Sequence, residues 1–169
     1  SIFNYVTAYD EFSTATFVSE FKKRFNLEKG KVLPQYELFN TLSYQNCFNL
    51  TDDEYRDKTL KLIDYAEDGQ FAPADYLSVM HFAERLNNVL GLNLEEVKDK
   101  LITGFKKFIH QQPKSSDLSF SQFEMSGKMS EISDINRQLY KAGMAEIKIF
   151  EEQKAKDKVQ AIADLLTNN

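Results

Sequence analysis

Apolar residues in this chain recur at intervals of three and four residues, which is the spacing of one face of an α-helix. A clear early series runs through Phe17, Phe21 and Phe25. Long alternating runs of β-branched residues, which indicate strands, are absent from the sequence. The pattern therefore predicts an all-α fold.

Helix-capping residues divide this pattern into separate helices. Thr51 with Glu54, and Asn93 with Glu96, are capping boxes, in which each pair satisfies free amides at a helix start. Six helices are predicted. The first follows Ser13, the second covers about 34–42 and the third starts after Thr51. The fourth covers about 73–90, the fifth starts after Asn93, and the last runs from about 130 to 166.

The predicted C-terminal helix carries an apolar stripe along most of its length, interrupted by the charged stretch 151–158. The stripe consists of Ile132, Ile135, Leu139, Ala142, Ile147, Phe150, Val159, Ile162 and Leu166. Such a face is expected to be buried, either in its own domain or on a neighbouring chain. The predicted regions are an aromatic arm at 1–12, a helical domain at 13–125 and a C-terminal helical segment at 126–169.

The residues around Gly69 follow the order of a twelve-residue calcium loop. With Asp64 at position 1, the ligand positions 5, 7 and 12 and the apolar position 8 are occupied by Asp68, Gln70, Asp75 and Phe71. Gly69 then falls at position 6, where glycine permits the sharp turn around an ion.

A second candidate loop starts at Asn26, 38 residues before Asp64. It places Glu28, Leu33 and Glu37 at positions 3, 8 and 12. A rival frame with Gly30 at position 6 would put apolar Phe25 at the first ligand position, so the frame from Asn26 is preferred.

These two segments resemble the EF-hand superfamily, broadly calmodulin-like, over roughly residues 14–90. The resemblance implies paired helix-loop-helix units, with the position-8 side chains of Leu33 and Phe71 buried side by side. It also implies candidate metal ligands in both loops, namely Asp64, Asp68, Gln70 and Asp75, and Asn26, Glu28 and Glu37. The further helices and the long C-terminal helix follow this pair.

Both loops depart from the calcium-binding pattern. Ala66 and Ala72 occupy ligand positions 3 and 9 of the Asp64 loop, and Lys31 brings a positive charge into the other loop. We therefore expect no cofactor, or weakly bound calcium. The alternative interpretation is that Gly30 and Gly69 are helix C-caps in an ordinary helical bundle.

Composition narrows the choice of partner and compartment. The net charge of −5 and the pI of about 5.1 argue against a nucleic-acid surface, which needs a basic patch. The single cysteine, Cys47, excludes an internal disulfide and a cysteine-rich zinc site. No apolar run is long enough for a membrane span. We expect a reducing intracellular location, cytoplasmic or organellar after removal of a targeting peptide.

Catalytic motifs are not apparent in the sequence. His81 and His110 are the only histidines, and neither a phosphate-binding glycine loop nor a nucleophile elbow is present. The favoured interpretation is a non-enzymatic structural or adaptor protein that binds a partner protein, as a subunit of a larger assembly. The alternative is a calcium sensor or buffer that uses the Asp64–Asp75 loop.

Overall fold

The computed structural model describes residues 32–44, 48–113, 118–129 and 131–168, without the side chains of 88–90. These residues contain α-helices and no β-strand, which confirms the predicted all-α fold. The helices are α1 (Pro34–Ser43), α2 (Asp52–Glu67), α3 (Pro73–Leu90), α4 (Leu94–Gln111), α5 (Ser121–Gly127) and α6 (Asp134–Thr167). The predicted N-terminal arm and the helix after Ser13 lie outside the described residues.

The chain forms two compact units, residues 1–55 and 56–169. The first contains α1, in which Leu42 is fully buried. The second contains α3 to α6 and most of α2, so the segment after residue 126 belongs to the same unit as α3 and α4.

Hydrogen bonds at two helix starts confirm the capping residues expected from the sequence. At α2, the Glu54 amide donates to Thr51 Oγ1 (3.1 Å), and the Thr51 amide donates to Glu54 Oε1 (3.4 Å). At α4, the Glu96 amide donates to Asn93 Oδ1 (3.2 Å). These bonds satisfy amides that have no acceptor inside their own helix.

A row of aromatic rings lies at the centre of the second unit. Neighbouring rings have centroids 5.0–6.4 Å apart, in the order Phe71, Tyr76, Phe105, Phe123 and Tyr140. Such pairs contribute about 0.5–1.5 kcal/mol each beyond the area that they bury. Because the rings come from the α2–α3 loop and from α3, α4, α5 and α6, the row connects five segments of the chain.

Two glycines allow close contact between elements of this unit. A Cβ on Gly104 of α4 would overlap the backbone oxygen of Ala66, so α2 and α4 meet backbone to backbone. A Cβ on Gly143 of α6 would lie 2.5 Å from the Phe123 ring. Neither place has room for a larger residue without displacement of its neighbours.

Helix α6 has two halves with different environments. Its 34 residues span about 51 Å at the usual rise per residue. In the proximal half, residues 134–150, Leu139 and Ile147 are buried, and Asn136 Nδ2 donates to the backbone oxygen of Leu77 (2.9 Å). In the distal half, residues 151–168, no residue is buried. The proximal half therefore completes the core of its own unit. The distal half begins beside α4, where Gln153, Lys154 and Asp157 line a cleft with Ile109 and Gln112, and its residues from 158 onward are exposed.

Candidate functional site

The segment predicted to be a calcium loop begins inside a helix. Because α2 continues to Glu67, Asp64 lies in the last helical turn, where its backbone oxygen accepts a hydrogen bond from the Asp68 amide (3.2 Å). Ala66, at the third position of the predicted loop, is fully buried against Gly104. The first part of the segment is thus a packed helix end.

Gly69 ends this helix in the left-handed conformation, with φ at +77°. Its amide donates to the backbone oxygen of Ala66 (3.0 Å), and the Gln70 amide donates to the backbone oxygen of Tyr65 (3.1 Å). These two bonds form a Schellman motif, which satisfies carbonyl groups left free at a helix end. The structure thus places Gly69 at a helix C-cap, whereas Gly30, the other glycine of the alternative interpretation, lies outside the described residues.

The acidic side chains of the segment have separate surroundings. Asp68 lies 3.7 Å from Lys107 Nζ and accepts a hydrogen bond from Gln70 Nε2 (3.4 Å), while Asp75 lies in the first turn of α3. The described residues hold no group of three or more His, Cys, Asp or Glu side chains placed to bind a metal. Calcium binding at Asp64, Asp68, Gln70 and Asp75 stays a prediction.

The upstream loop is only partly described. Asn26 and Glu28 lie outside the described residues, and Glu37 lies in the first turn of α1. Of the two position-8 residues, Phe71 is buried as predicted, at 1% exposure, whereas Leu33 is 60% exposed. The burial predicted for Leu33 is therefore wrong.

The largest exposed apolar feature of α6 lies in its distal half. We define the distal stripe as Ala155, Val159, Ile162 and Leu166. All four side chains are exposed, and Val159 and Leu166 retain 67% and 76% of their accessible surface. The neighbouring Leu165 is also 67% exposed. A cluster of large exposed aliphatic side chains on one helix is a common mark of an interaction surface.

The distal stripe faces a different direction from the buried residues of the same helix. At 100° per residue, the centre of the distal stripe lies roughly 120° around the helix axis from the face formed by Leu139, Gly143 and Ile147. The stripe is therefore not a continuation of the face that packs on α3 and α4. It points away from the contacts that hold the proximal half.

Polar residues lie at both edges of the distal stripe and on the opposite face of the helix. Lys156 and Lys158 lie at its two edges, and Asp157 and Asp164 lie on the opposite face, by the same helical geometry. Gln153 Nε2 donates to Asp157 Oδ1 (2.9 Å), and the equivalent bond from Gln160 to Asp164 measures 2.8 Å. Such pairs, four residues apart, stabilise a helix that has few other contacts.

A charged cluster that the sequence did not reveal lies between α4 and the proximal half of α6. The Glu146 carboxylate lies 3.6 Å from Lys106 Nζ and 3.9 Å from His110 Nε2. It borders a cleft of about 280 Å³, whose described lining includes Ile109 and Phe150 and contains no serine, threonine or cysteine. The cluster offers no nucleophile beside its histidine and contributes about 1 kcal/mol or less to stability.

No family model matches this chain, and no curated protein or solved structure is significantly similar to it. Among the described residues, no helix combines the length and the apolar character that crossing a membrane requires. The EF-hand resemblance therefore stays a prediction from the sequence, and the function has to be argued from the geometry of the described residues.

Proposed function

We propose that this protein is a non-catalytic adaptor or structural subunit that binds a partner protein through the distal stripe of α6. The observation that carries the proposal is the exposure of Val159, Ile162 and Leu166 on a helix whose other half is packed in a core. Exposed apolar surface forgoes about 25 cal/mol per Å² that burial would contribute.

The distal half has the anchor spacing of a helix that binds in a groove. Val159, Ile162, Ala163 and Leu166 stand at i, i+3, i+4 and i+7, the pattern by which an amphipathic helix occupies an apolar groove. These residues project from a continuous helix, so most of the ordering cost of binding is already met by folding.

The rest of the second unit acts as the base that holds this helix in place. Leu139 and Ile147 pack in the core, and the bond from Asn136 to Leu77 fixes the start of α6 against α3. Since α6 is uninterrupted from Asp134 to Thr167, the position of its proximal half determines where the distal stripe points. A packed proximal half that holds an exposed distal half suits a protein that presents a helix for binding.

A capture experiment with two matched variants tests the proposal. Ile162→Asp places a charge in the distal stripe, whereas Gln160→Asp places the same charge on the opposite, exposed face of the same turn. We expect both variants to melt like the parent, and a protein captured from native extract to be lost only with Ile162→Asp. That protein, once purified, should bind the parent at least tenfold more tightly than Ile162→Asp. Equal binding to both variants would contradict the proposal.

Calcium binding by the Asp64–Asp75 segment is the other function predicted from the sequence. The helical position of Asp64 and the pairing of Asp68 with Lys107 favour weak binding or none. Calorimetric titration in chelator-treated buffer checks this, with the exposed substitution Asp64→Asn as the control. A dissociation constant on the order of 10⁻⁶ M, lost in Asp64→Asn, would favour a sensor instead. Ala66→Asp cannot serve as a gain-of-function test, because Ala66 is buried.

A further inference from the structure

The distal stripe has the spacing of a coiled-coil seam. Steps of four, three and four residues separate Ala155, Val159, Ile162 and Leu166, so they occupy successive d, a, d and a positions of a heptad repeat. A seam of this kind is complementary to another helix with the same repeat. Among the described residues, α6 is the helix that presents an exposed apolar seam, so a second copy of α6 supplies a matching one.

We infer that the distal stripe binds the same stripe of a second copy, in antiparallel orientation. This inference rests on the proposed function and names the partner. In an antiparallel pair each a position faces a d position. Val159 then packs on Ile162 of the second copy, and Ala155 packs on Leu166 of the second copy. Both layers occur twice because a two-fold interface is reciprocal.

The side-chain volumes favour the antiparallel register. It opposes the smallest residue of the stripe, Ala155, to the large Leu166, and it opposes two β-branched residues of similar size in the central layers. A parallel pair would instead oppose Ala155 to Ala155 and leave a gap at that layer. Gaps of this kind lose dispersion contacts on both sides, so the antiparallel pair has the better packing.

The charges favour the same orientation. Glu152 occupies the a position before Ala155, so a parallel pair would bring two Glu152 carboxylates together at the seam. The antiparallel pair moves each Glu152 to an opposite end. It also places the stems of Lys156 and Lys158 beside Ala163 and Leu165 of the second copy, where their methylene groups cover apolar surface and their ammonium groups stay in water.

The direction of the distal stripe makes this pairing possible. Because the stripe lies roughly 120° from the face that packs on α3 and α4, a second helix can lie along it without displacing those helices. In an antiparallel pair, the rest of the second unit of each copy then lies at opposite ends of the paired helices. The seam is short, and specific interfaces bury about 1,200 Å² or more, so we expect weak association with a dissociation constant on the order of 10⁻⁵ M.

A membrane surface is the competing occupant of an exposed amphipathic helix. Helices that bind anionic membranes carry lysine and arginine on their polar face. Here the distal half carries three lysines, Lys154, Lys156 and Lys158, against four acidic residues, Glu151, Glu152, Asp157 and Asp164, so its net charge of −1 gives no electrostatic attraction to anionic lipid. The charge distribution therefore favours a protein helix over a lipid surface.

Sedimentation equilibrium of the full chain is the principal test. We expect a monomer–dimer equilibrium for the parent, a dissociation constant raised at least tenfold in Ile162→Asp, and a change of no more than about twofold in Gln160→Asp. A parent that stays monomeric up to several hundred micromolar would overturn the inference. The proposed function would then still be decided by the capture experiment, which does not depend on self-association.

Cross-linking with a short bismaleimide tests the orientation, in a Cys47→Ser background that must sediment like the parent. We expect a mixture of Ala155→Cys and Leu166→Cys chains to form a cross-linked heterodimer, and Ala155→Cys chains alone to remain uncoupled. Efficient coupling of Ala155→Cys chains alone would overturn the antiparallel arrangement.

Flotation with phosphatidylcholine–phosphatidylserine vesicles tests the competing lipid surface. Flotation of the parent that is lost in Ile162→Asp would overturn the inference in favour of a lipid surface.

Discussion

The two halves of α6 have similar apolar spacing and opposite environments. In the proximal half, Leu139 and Ile147 are 1% and 2% exposed, whereas in the distal half Val159 and Leu166 are 67% and 76% exposed. Both halves carry an aliphatic stripe in an uninterrupted helix. The difference lies in direction, because the two stripes are centred roughly 120° apart around the axis.

This contrast shows that an apolar stripe on a helix predicts that the face will be buried, but does not indicate which element or which chain buries it. The sequence left open whether the C-terminal stripe completes the core of its own domain or docks on another chain. In the structure the two halves differ: the proximal half packs on α3 and α4, whereas the distal half leaves its stripe exposed. The charged stretch 151–158, which interrupts the apolar stripe, is the sequence feature that lies at the change.

The largest expected difference between the halves comes from two truncations. A chain that ends at Gly127 loses Leu139, Ile147 and the residues that pack on Phe123, so we expect it to lose cooperative folding. A chain that ends at Glu152 keeps the proximal half, and we expect its Tm to fall by no more than about 4 °C. Circular dichroism melting measures both. Cooperative melting of the shorter chain would show that the proximal half is dispensable.

Matched leucine substitutions give the next largest contrast. Leu139→Ala removes buried methyl groups and leaves a cavity, so we expect it to lower the free energy of unfolding by about 2–5 kcal/mol. Leu166→Ala acts on an exposed site and should change it by about 0.5 kcal/mol or less. Urea unfolding at low micromolar concentration, where the chain is monomeric, provides the comparison. Equal losses would mean that the distal stripe packs on its own unit.

A smaller effect is expected at the hydrogen bond that anchors the start of α6. Asn136→Ala removes the donor to the Leu77 carbonyl, which should cost about 0.5–1.5 kcal/mol. Asn168→Ala, at the exposed end of the helix, is the control and should have little effect. Urea unfolding detects the difference, and an unchanged midpoint for Asn136→Ala would show that this bond contributes nothing net.

Two alanine-to-glycine changes give the smallest effect and separate global from local stability. Ala142→Gly, in the packed half, should lower the free energy of unfolding by about 1 kcal/mol through the poor helix propensity of glycine. Ala161→Gly should leave that free energy unchanged, because we expect the distal half to open locally without the core. Amide hydrogen exchange should instead speed up in residues near position 161. A global loss in Ala161→Gly would contradict independent opening of the distal half.

The Asp64–Asp75 segment shows what a local sequence pattern can predict and what it cannot. The turn at Gly69 was predictable, because both a calcium loop and a Schellman cap require glycine at that position. Calcium binding by the segment stays a prediction, and what the fold adds is the position of Ala66, which occupies a ligand position of the predicted loop and is buried against Gly104. That contact joins residues 38 positions apart, so no local spacing could indicate it.

The sequence by itself determined five of the six helices in the described residues, because helical hydrogen bonds and caps form between residues within four positions of each other. Thr51 and Asn93 are examples, since their caps depend only on the next three residues. The short helix α5 was not among the predicted helices, and α6 begins at Asp134 rather than near residue 130. The tertiary structure decided which stripes are covered, how Glu146 meets Lys106, and that Val159 and Leu166 are exposed. Burial depends on elements that are distant in sequence, and the α-helical period is the same whether a face meets a core or solvent.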